Sequence, residues 1–190
     1  MTERFVIFSF YGYFVAFFLF EFVLTRFRLG SAGKGDKDPL TLVFFFIAPT
    51  VGMFVWISSI NRHAIPAHPT WLLWGIGVIC GLLGFAVRSI GKRTLGRQFT
   101  VRVQIQDQHD LVDHGIYGVI RHPLYTGALL EWMAPPFLLG SPPGFLFLTL
   151  PVLIGVLQRI PREERLLLEA FGERYRAYMG RTKRLVPGVW

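Results

Sequence analysis

Three long runs of hydrophobic residues, separated by shorter polar stretches, stand out along this chain. They cover about 5–25, 40–60 and 70–87. A helix needs about 20 consecutive apolar residues to cross a bilayer, so each run is close to the length of one crossing. The first run follows only Arg4 as a basic residue and has no small-x-small cleavage site, which favours a transmembrane helix over a signal peptide.

A fourth apolar region, about 124–158, is too long for a single crossing. It is interrupted at Pro135-Pro136 and again at Ser141-Pro142-Pro143-Gly144. Because prolines and glycines end or kink helices, we expect a helical hairpin in this region. The pattern therefore predicts that residues 1–190 form one all-α integral membrane domain with about five transmembrane helices.

The composition agrees with a membrane protein. The chain is 52% hydrophobic and 16% aromatic, with a mean hydropathy of +0.44, which is more apolar surface than a soluble domain of 190 residues could bury. Its single cysteine, Cys80, cannot form a disulfide within the chain. The five histidines, at positions 63, 68, 109, 114 and 122, show no metal-ligand spacing, so we expect no metal site.

Basic residues are unevenly distributed between the polar segments. With five crossings, 18 of the 20 lysines and arginines fall in 26–38, in 88–121 and in the tail from residue 159. The positive-inside rule then places these segments in the cytoplasm and the N-terminus outside. Topology and anionic headgroups account for the net charge of +8, so nucleic acid is not needed as a partner.

The segment at 88–123 is predicted to form a structured cytoplasmic cap. Between Phe99 and Gln106, apolar and polar residues alternate, which is typical of an extended segment. A turn-like cluster, Asp107-Gln108-His109-Asp110, follows. A solvated basic linker is the alternative interpretation.

The tail at 159–190 is predicted to contain a cytoplasmic helix. Pro161 is suited to a helix start, and Glu163 and Glu164 would lie in the first turn, where the helix dipole favours anions. Gly180 would end this helix. Apolar residues recur on one face, which indicates either packing or a cofactor-binding surface: Leu167, Phe171, Tyr175 and Tyr178.

Two ionisable positions near the ends of the apolar runs need separate interpretation. Arg159 is a helical turn from Glu163 and Glu164, so it is either a snorkelling arginine or part of a charged pocket wall. Glu21 is expected near the cytoplasmic interface, paired with a basic neighbour such as Arg26. Gly77 and Gly81, inside the third run, indicate close helix packing rather than a dinucleotide loop.

Two long signatures in the C-terminal half point to a family. The first is HDLVDHGIYGVIRHPLYTG at 109–127, and the second is RIPREERLLLEAFGERYRAYMGRTKRLVPGVW at 159–190. Together they resemble the isoprenylcysteine carboxyl methyltransferase family of integral membrane enzymes, which is related to the phospholipid N-methyltransferases. The first two apolar runs match that family only in being hydrophobic.

This resemblance implies a methyltransferase that uses S-adenosylmethionine and acts on a lipid-like substrate entering from the bilayer, with the active site on the cytoplasmic face. The expected activity is carboxyl O-methylation of an isoprenylcysteine-type carboxylate. The resemblance implies catalytic roles for Arg159 and Glu164. The cofactor-binding residues that it implies are His109, Leu111, Val112, Gly115, Tyr117, His122, Pro123, Tyr125, Glu163, Tyr175 and Tyr178.

The chemistry of the acceptor distinguishes the alternatives. A carboxylate is already anionic at neutral pH, and Arg159 could grip it bidentately. A phospholipid amine would arrive protonated and need a base, for which Glu164 or His122 would be candidates. A small transporter is a further alternative, but transporters place broken helices and polar residues near mid-membrane, often with an internal repeat, and no repeat is visible here. The oligomeric state does not follow from the sequence.

Overall fold

The computed structural model of the chain describes residues 1–25, 43–62, 67–96 and 110–189. The extended segment predicted at Phe99–Gln106 lies outside these residues. Within them the secondary structure is helical, apart from an isolated parallel bridge between Ile120 and Lys183. The helices are α1 (Glu3–Thr25), α2 (Ala48–Asn61, after a wider turn at Val43–Ile47), α3 (Trp71–Leu95), a 3-10 turn (Gly115–Gly118), α4 (Pro123–Leu138), α5 (Leu150–Phe171, after a wider turn at Phe145–Thr149) and α6 (Glu173–Arg181).

Three helical stretches among the described residues are long and apolar enough to cross a membrane. They are Arg4–Val23, Trp71–Leu95 and Phe145–Phe171. Large apolar side chains such as Phe8, Phe54 and Leu72 are exposed on the outside of the bundle, which is where lipid chains would contact them. The prediction of about five crossings remains a prediction for the shorter helices α2 and α4.

The fourth apolar region forms a helical hairpin, as predicted, but the turn lies at only one of the two expected breaks. α4 continues through Pro135 and Pro136 to Leu138. The chain turns after it, with Gly140 at φ 57° and a hydrogen bond from the Gly144 N–H to the Ser141 carbonyl. Glycine at this positive φ avoids the steric cost that a side chain would incur, so the glycine-containing break sets the turn.

Two helices continue past points at which the sequence suggested a boundary, and the predicted helix start at Pro161 is wrong. α3 extends to Leu95, beyond the apolar run that ends at about residue 87. α5 runs through Pro161, so the tail helix does not begin there. Proline has no N–H, so the Leu157 carbonyl lacks its usual helical donor at Pro161. Leu157 and Pro161 are both exposed, and a helix can tolerate and bend at such a missing bond on its exposed side.

The predicted apolar stripe of the tail is divided between two helices. Gly172, at φ 53°, ends α5 with a hydrogen bond from its N–H to the Leu168 carbonyl. Its own carbonyl accepts the N–H of Tyr175 at 3.1 Å and therefore starts α6. Gly180 lies inside α6, which continues to Arg181. Tyr175 and Tyr178 are consequently separated from Phe171 by a bend.

α3 and α4 approach each other closely along a row of glycines. A Cβ built at Gly77 would lie 3.0 Å from the Ala134 carbonyl oxygen, and one at Gly84 would lie 2.8 Å from the Gly127 carbonyl oxygen. A Cβ at Gly81 would lie 2.7 Å from the Tyr13 ring of α1, so the close helix packing predicted for Gly77 and Gly81 is confirmed. The contact extends to the first turn of α4, since a Cβ at Gly91 would lie 3.1 Å from the Leu124 side chain.

A charge cluster inside the bundle connects three helices. The Arg88 guanidinium on α3 forms ion pairs with Glu21 on α1 and with Glu131 on α4, the latter at 2.5 Å. The Tyr13 hydroxyl donates to the Glu131 carbonyl at 2.6 Å. Glu21 therefore pairs with a residue distant in sequence; Arg26, the predicted partner, lies outside the described residues. We refer to Glu21, Arg88 and Glu131 as the Arg88 cluster.

Candidate active site

The segment before α4 is held in place by the end of the chain. The Arg121 N–H donates to the Lys183 carbonyl at 2.7 Å, and the His122 N–H donates to the Arg184 carbonyl at 3.0 Å. We call residues 182–185 the C-terminal brace. Because these are backbone bonds beside a β-bridge, the brace sets the path of the chain into α4.

Glu164 is the centre of a second charge cluster. The single N–H of the Arg184 Nε is shared between the two oxygens of its carboxylate, at 3.1 and 3.2 Å, and the Arg184 Nη2 donates to it at 2.8 Å. The Arg121 Nε donates to the same carboxylate at 3.0 Å, and the His122 Nε2 lies 3.4 Å from it. We refer to Arg121, His122, Glu164 and Arg184 as the Glu164 cluster. One buried carboxylate thus joins α5, the start of α4 and the brace.

Arg121 also connects this cluster to the end of α6. Its Nη1 donates to the carbonyls of Met179, at 3.1 Å, and of Thr182. Carbonyls at the end of a helix have no intrahelical donor and carry partial negative charge. A guanidinium at this position supplies the missing donors and a compensating positive charge. Arg121 therefore holds α6 against α5 through Glu164.

Tyr125 and Glu163 form the side of the site next to the apolar part of the bundle. The Tyr125 hydroxyl donates to the Glu163 carboxylate. The Tyr125 ring stacks on the His122 ring, with centroids 5.5 Å apart and 21° between the planes. The buried Arg159 guanidinium lies 5.8 Å from the centre of the Tyr125 ring, a cation–π distance. A cation, an aromatic face and a carboxylate therefore lie together at the end of an apolar helix.

The α6 tyrosines are buried behind this wall. The Tyr178 hydroxyl donates to the Tyr117 carbonyl at 2.7 Å, and the rings of Tyr175 and Tyr178 meet edge to face. The Tyr175 hydroxyl is buried and has no hydrogen-bond partner among the residues that the structure describes. Burial raises the pKa of Tyr117, Tyr175 and Tyr178 above the usual range of a phenol, so all three stay neutral donors at physiological pH.

Comparison with known proteins identifies the family. A sequence model of the isoprenylcysteine carboxyl methyltransferase (ICMT) family matches residues 75–169, which is half of the chain. Protein-S-isoprenylcysteine O-methyltransferase A of Arabidopsis thaliana is 32% identical over 178 residues, which cover 92% of this chain and 89% of that protein. The chain belongs to the isoprenylcysteine carboxyl methyltransferase family.

Two further comparisons define how far the likeness extends. A probable protein-S-isoprenylcysteine O-methyltransferase of Oryza sativa subsp. indica is 32% identical over 121 residues, and the match spans 63% of each protein. The solved structure of the eukaryotic intramembrane Ras methyltransferase ICMT covers 97% of this chain and 67% of its own, with a TM-score of 0.67 and 22% identity. The latter shows a shared fold. Family and apolar helices together make this chain an integral membrane protein.

In this ICMT-family protein, most of the expected site residues come together. Tyr117, Tyr175 and Tyr178 form one group, while His122, Tyr125, Arg159, Glu163 and Glu164 form the adjoining wall. Pro123 occupies the first turn of α4, where its fixed φ favours a helix start, and a Cβ built at Gly91 of α3 would lie 3.5 Å from its ring.

The remaining expected residues either lie in the loop and turn before α4 or fall outside the described residues. Leu111 and Val112 are half-buried in the loop before the 3-10 turn. Gly115 begins that turn at φ 59°, close to Thr94 of α3, and Asp113 beside it pairs with Arg181 of α6. His109 lies outside the described residues. No group of three or more histidine, cysteine, aspartate or glutamate side chains in the described part of the chain could hold a metal ion.

Arg121 and Arg184 were not among the expected site residues, although both contact Glu164. Each lies within a quoted signature, in RHPLYTG and in the closing basic segment. Their charge alone suggested topology, since basic residues fill both segments. A usable signal was nevertheless present: a buried carboxylate such as Glu164 needs cationic partners, and both signatures contain arginines that could be those partners.

Proposed function

We propose that this protein is an S-adenosylmethionine-dependent methyltransferase that esterifies the carboxylate of a lipid-like, isoprenylcysteine-type acceptor. Membership of the family supports the reaction class. One observation carries the assignment of the site: the buried Arg159 guanidinium lies beside Tyr125, whose hydroxyl binds Glu163, at the point where the apolar part of α5 ends. A lipid-like acceptor in the bilayer would present its carboxylate at that level.

The residues of the site fit S-adenosylmethionine. The buried Tyr175 hydroxyl offers a hydrogen bond that no described residue uses. Aromatic side chains at the site can attract a sulfonium cation, and Glu163 can accept hydrogen bonds from hydroxyls or an ammonium group. When bound, the cofactor supplies a methyl group activated by its sulfonium. The remaining expected residues, from Leu111 to Tyr117 and at Tyr178, would complete the pocket.

The protein's own residues have a limited chemical task with a carboxylate acceptor. The acceptor is anionic at neutral pH, so no general base is required; it must be oriented and shielded from water. Arg159 can grip it through two parallel N–H bonds. Glu164 accepts bonds from Arg121 and Arg184, so we assign it a positioning role for this chemistry.

We place the site on the cytoplasmic face, with the N-terminus outside and about five crossings. The charge distribution supports this topology, because with five crossings 18 of the 20 lysines and arginines fall in segments that the positive-inside rule assigns to the cytoplasm. The acceptor's lipid portion would enter between helices from the bilayer, while the cofactor would enter from the cytoplasm. The proposed partners are therefore a prenylated substrate and membrane lipids.

The test uses purified, detergent-solubilised protein with methyl-labelled S-adenosylmethionine and a prenylcysteine carrying a free carboxylate. We expect transfer of label into a product that releases methanol in alkali, as a methyl ester does. Arg159→Ala should lower turnover on the order of 100-fold, because it removes the group that orients the acceptor. Calorimetric titration with S-adenosylmethionine should give the wild-type affinity for this variant, while Tyr125→Ala should weaken cofactor binding.

Arg165→Ala is the matched control, since Arg165 is an exposed arginine on the same helix. Equal loss of turnover and cofactor affinity in Arg159→Ala would overturn the orienting role and place the arginine in the cofactor pocket or the fold. Alkali-stable label in a phospholipid amine would instead support N-methylation. A folded protein that binds no cofactor, with or without acceptor, would contradict the methyltransferase proposal and favour a transporter.

A further inference from the structure

The C-terminal brace lies beyond the residues that the family sequence model matches, which end at 169. Nevertheless it contacts the wall of the site at three successive points. Besides its bonds to Arg121 and His122, the brace accepts a hydrogen bond from the Thr126 hydroxyl at the Leu185 carbonyl, at 2.9 Å. The start of α4 is therefore held on the brace over more than one helical turn.

We propose that Arg184 of the brace is a positioning residue for methyl transfer, because it fixes both the backbone of His122 and the carboxylate of Glu164. This inference rests on the proposed function. Arg184 acts through these two residues and is not itself placed in contact with acceptor or cofactor.

The first part of the argument concerns the backbone. The Arg184 carbonyl accepts the His122 N–H at 3.0 Å. His122 directly precedes α4, and its φ of −124° and ψ of 58° lie outside the helical region. Its carbonyl accepts the first N–H groups of α4, but its own N–H has no acceptor within the helix and is held by Arg184. A shift of residue 184 would therefore be transmitted directly to the His122 main chain.

The second part concerns the side chain. The Arg184 Nε donates to the Glu164 Oε1 at 3.2 Å and the Arg184 Nη2 donates to Oε2 at 2.8 Å; the arginine side chain is 31% exposed, while the glutamate side chain is 4% exposed. The guanidinium thus covers the carboxylate from solvent. Such a bidentate pair fixes an angle as well as a distance. The Glu164 Oε1 that receives it is the same atom that faces the His122 Nε2 at 3.4 Å.

The consequence is an imidazole with both ring nitrogens directed toward carboxylates. The His122 Nδ1 lies 4.0 Å from Glu163, opposite the Nε2 contact with Glu164. The same ring stacks on Tyr125, which binds Glu163 through its hydroxyl. Misplacement of His122 would therefore disturb Tyr125 and Glu163 together, even though Arg184 touches neither in the contacts described above.

The experiment compares Arg184→Ala and Arg184→Lys with Lys183→Ala. Lys183 is the matched control, because its side chain is exposed and its backbone makes the neighbouring brace contacts. We expect Arg184→Ala to lower kcat on the order of tenfold to a hundredfold. Arg184→Lys should recover only part of this loss, since an ammonium cannot form the bidentate pair. Lys183→Ala should keep wild-type kcat.

A direct readout comes from nuclear magnetic resonance of protein labelled with ¹⁵N in its histidines. The His122 imidazole signals, assigned with His122→Asn, should shift in both Arg184 variants and stay unchanged in Lys183→Ala. Addition of methylguanidinium to Arg184→Ala should partly restore the signals and kcat. Merely weakened folding would not be reversed in this way.

Unshifted His122 signals with wild-type kcat in the Arg184 variants would overturn the inference. If Arg184→Ala does not fold, Arg184→Lys carries the same comparison. The imidazole signals report the positioning even in a protein that transfers no methyl group. If the wild-type protein transfers no methyl group, the proposed function is wrong. If the Arg184 variants still shift the His122 signals in that case, the role of Arg184 in positioning His122 stands.

Discussion

The two charge clusters of this protein have opposite compositions. In the Glu164 cluster, one carboxylate faces the guanidinium groups of Arg121 and Arg184 and the His122 ring. In the Arg88 cluster, one guanidinium faces two carboxyl groups, Glu21 and Glu131, inside the helix bundle. The first connects segments from the two signatures, and the second connects α1, α3 and α4.

The difference shows which residue each cluster depends on. A residue at the centre of a cluster is the shared partner of all the others, so its loss leaves several buried charges uncompensated. A residue at the edge can be lost while the centre keeps another counter-charge. Glu164 is central, whereas Glu131 is at an edge because Glu21 also pairs with Arg88. Identical substitutions in the two clusters should therefore have unequal effects.

The largest expected effect is the contrast between Glu164→Gln and Glu131→Gln. Glu164→Gln removes the charge that Arg121 and Arg184 share, and we expect it to lower the free energy of unfolding by about 3 kcal/mol. Glu131→Gln retains an oxygen that can accept from Arg88, and the Glu21 charge remains, so we expect a loss of about 1 kcal/mol. Thermal unfolding in detergent, followed by tryptophan fluorescence, measures both.

Exposed Glu173→Gln serves as the surface control, because Glu173 pairs only with its near neighbour Arg176 on α6 in the ion pairs described. Equal losses in Glu164→Gln and Glu131→Gln would contradict the distinction between centre and edge. Such a result would mean that depth in the bundle, rather than the number of shared partners, determines the cost.

Sequence patterns predicted the helices better than their boundaries. Run length and hydrophobicity identified α1 and α3 and the α4–α5 hairpin, because these signals are local and strong. The rule that proline starts a helix failed at Pro161, where exposure of the preceding turn lets α5 continue. The division at Gly172 was missed because the apolar spacing stays helical across it, while one glycine at positive φ changes the helix direction.

The grouping of the candidate site residues follows the signatures, while contacts between distant residues were missed. His122, Tyr125, Glu163 and Glu164 were expected from the two signatures and lie together. Arg184 was missed, since its hydrogen bond to the His122 N–H joins residues from separate signatures. Pairing of Glu21 with Arg88 was missed for the same reason, because the two lie on different helices and no local spacing relates them.

A second prediction tests the packing that surrounds the Arg88 cluster. A Cβ at Gly127 would lie 2.4 Å from the Arg88 Cγ and 2.8 Å from the Gly84 carbonyl oxygen. Gly127→Ala must therefore separate α3 from α4, and we expect it to lower the free energy of unfolding by about 2 kcal/mol. Gly75→Ala is the matched control, since Gly75 lies on α3, the helix that Gly127 contacts, and nothing lies within 4 Å of its Cβ position.

Cofactor affinity gives this prediction a functional readout. Tyr125 lies two residues before Gly127 on α4, so a displaced α4 should also weaken binding of S-adenosylmethionine in calorimetric titration. Wild-type stability and affinity in Gly127→Ala would show that the α3–α4 contact adapts readily, and that the Arg88 cluster does not fix the position of α4.

The smallest expected effects concern two tyrosines that share α6 but differ in their hydrogen bonds. The Tyr178 hydroxyl donates to the Tyr117 carbonyl, whereas the Tyr175 hydroxyl has no partner in the described part of the chain. Tyr178→Phe should lower the free energy of unfolding by about 1 kcal/mol, because a buried carbonyl loses its donor. Tyr175→Phe should leave the stability of the cofactor-free protein unchanged or slightly higher, since it removes an unsatisfied buried group.

Cofactor affinity should distinguish the tyrosines in the opposite order. If the Tyr175 hydroxyl is reserved for S-adenosylmethionine, Tyr175→Phe should weaken its binding roughly fivefold to tenfold, the amount that one hydrogen bond contributes. Tyr178→Phe, whose hydroxyl already has a protein partner, should change the affinity less. A Tyr175→Phe protein with lower stability and unchanged affinity would show that the hydroxyl has a structural partner instead, and would remove Tyr175 from the proposed pocket.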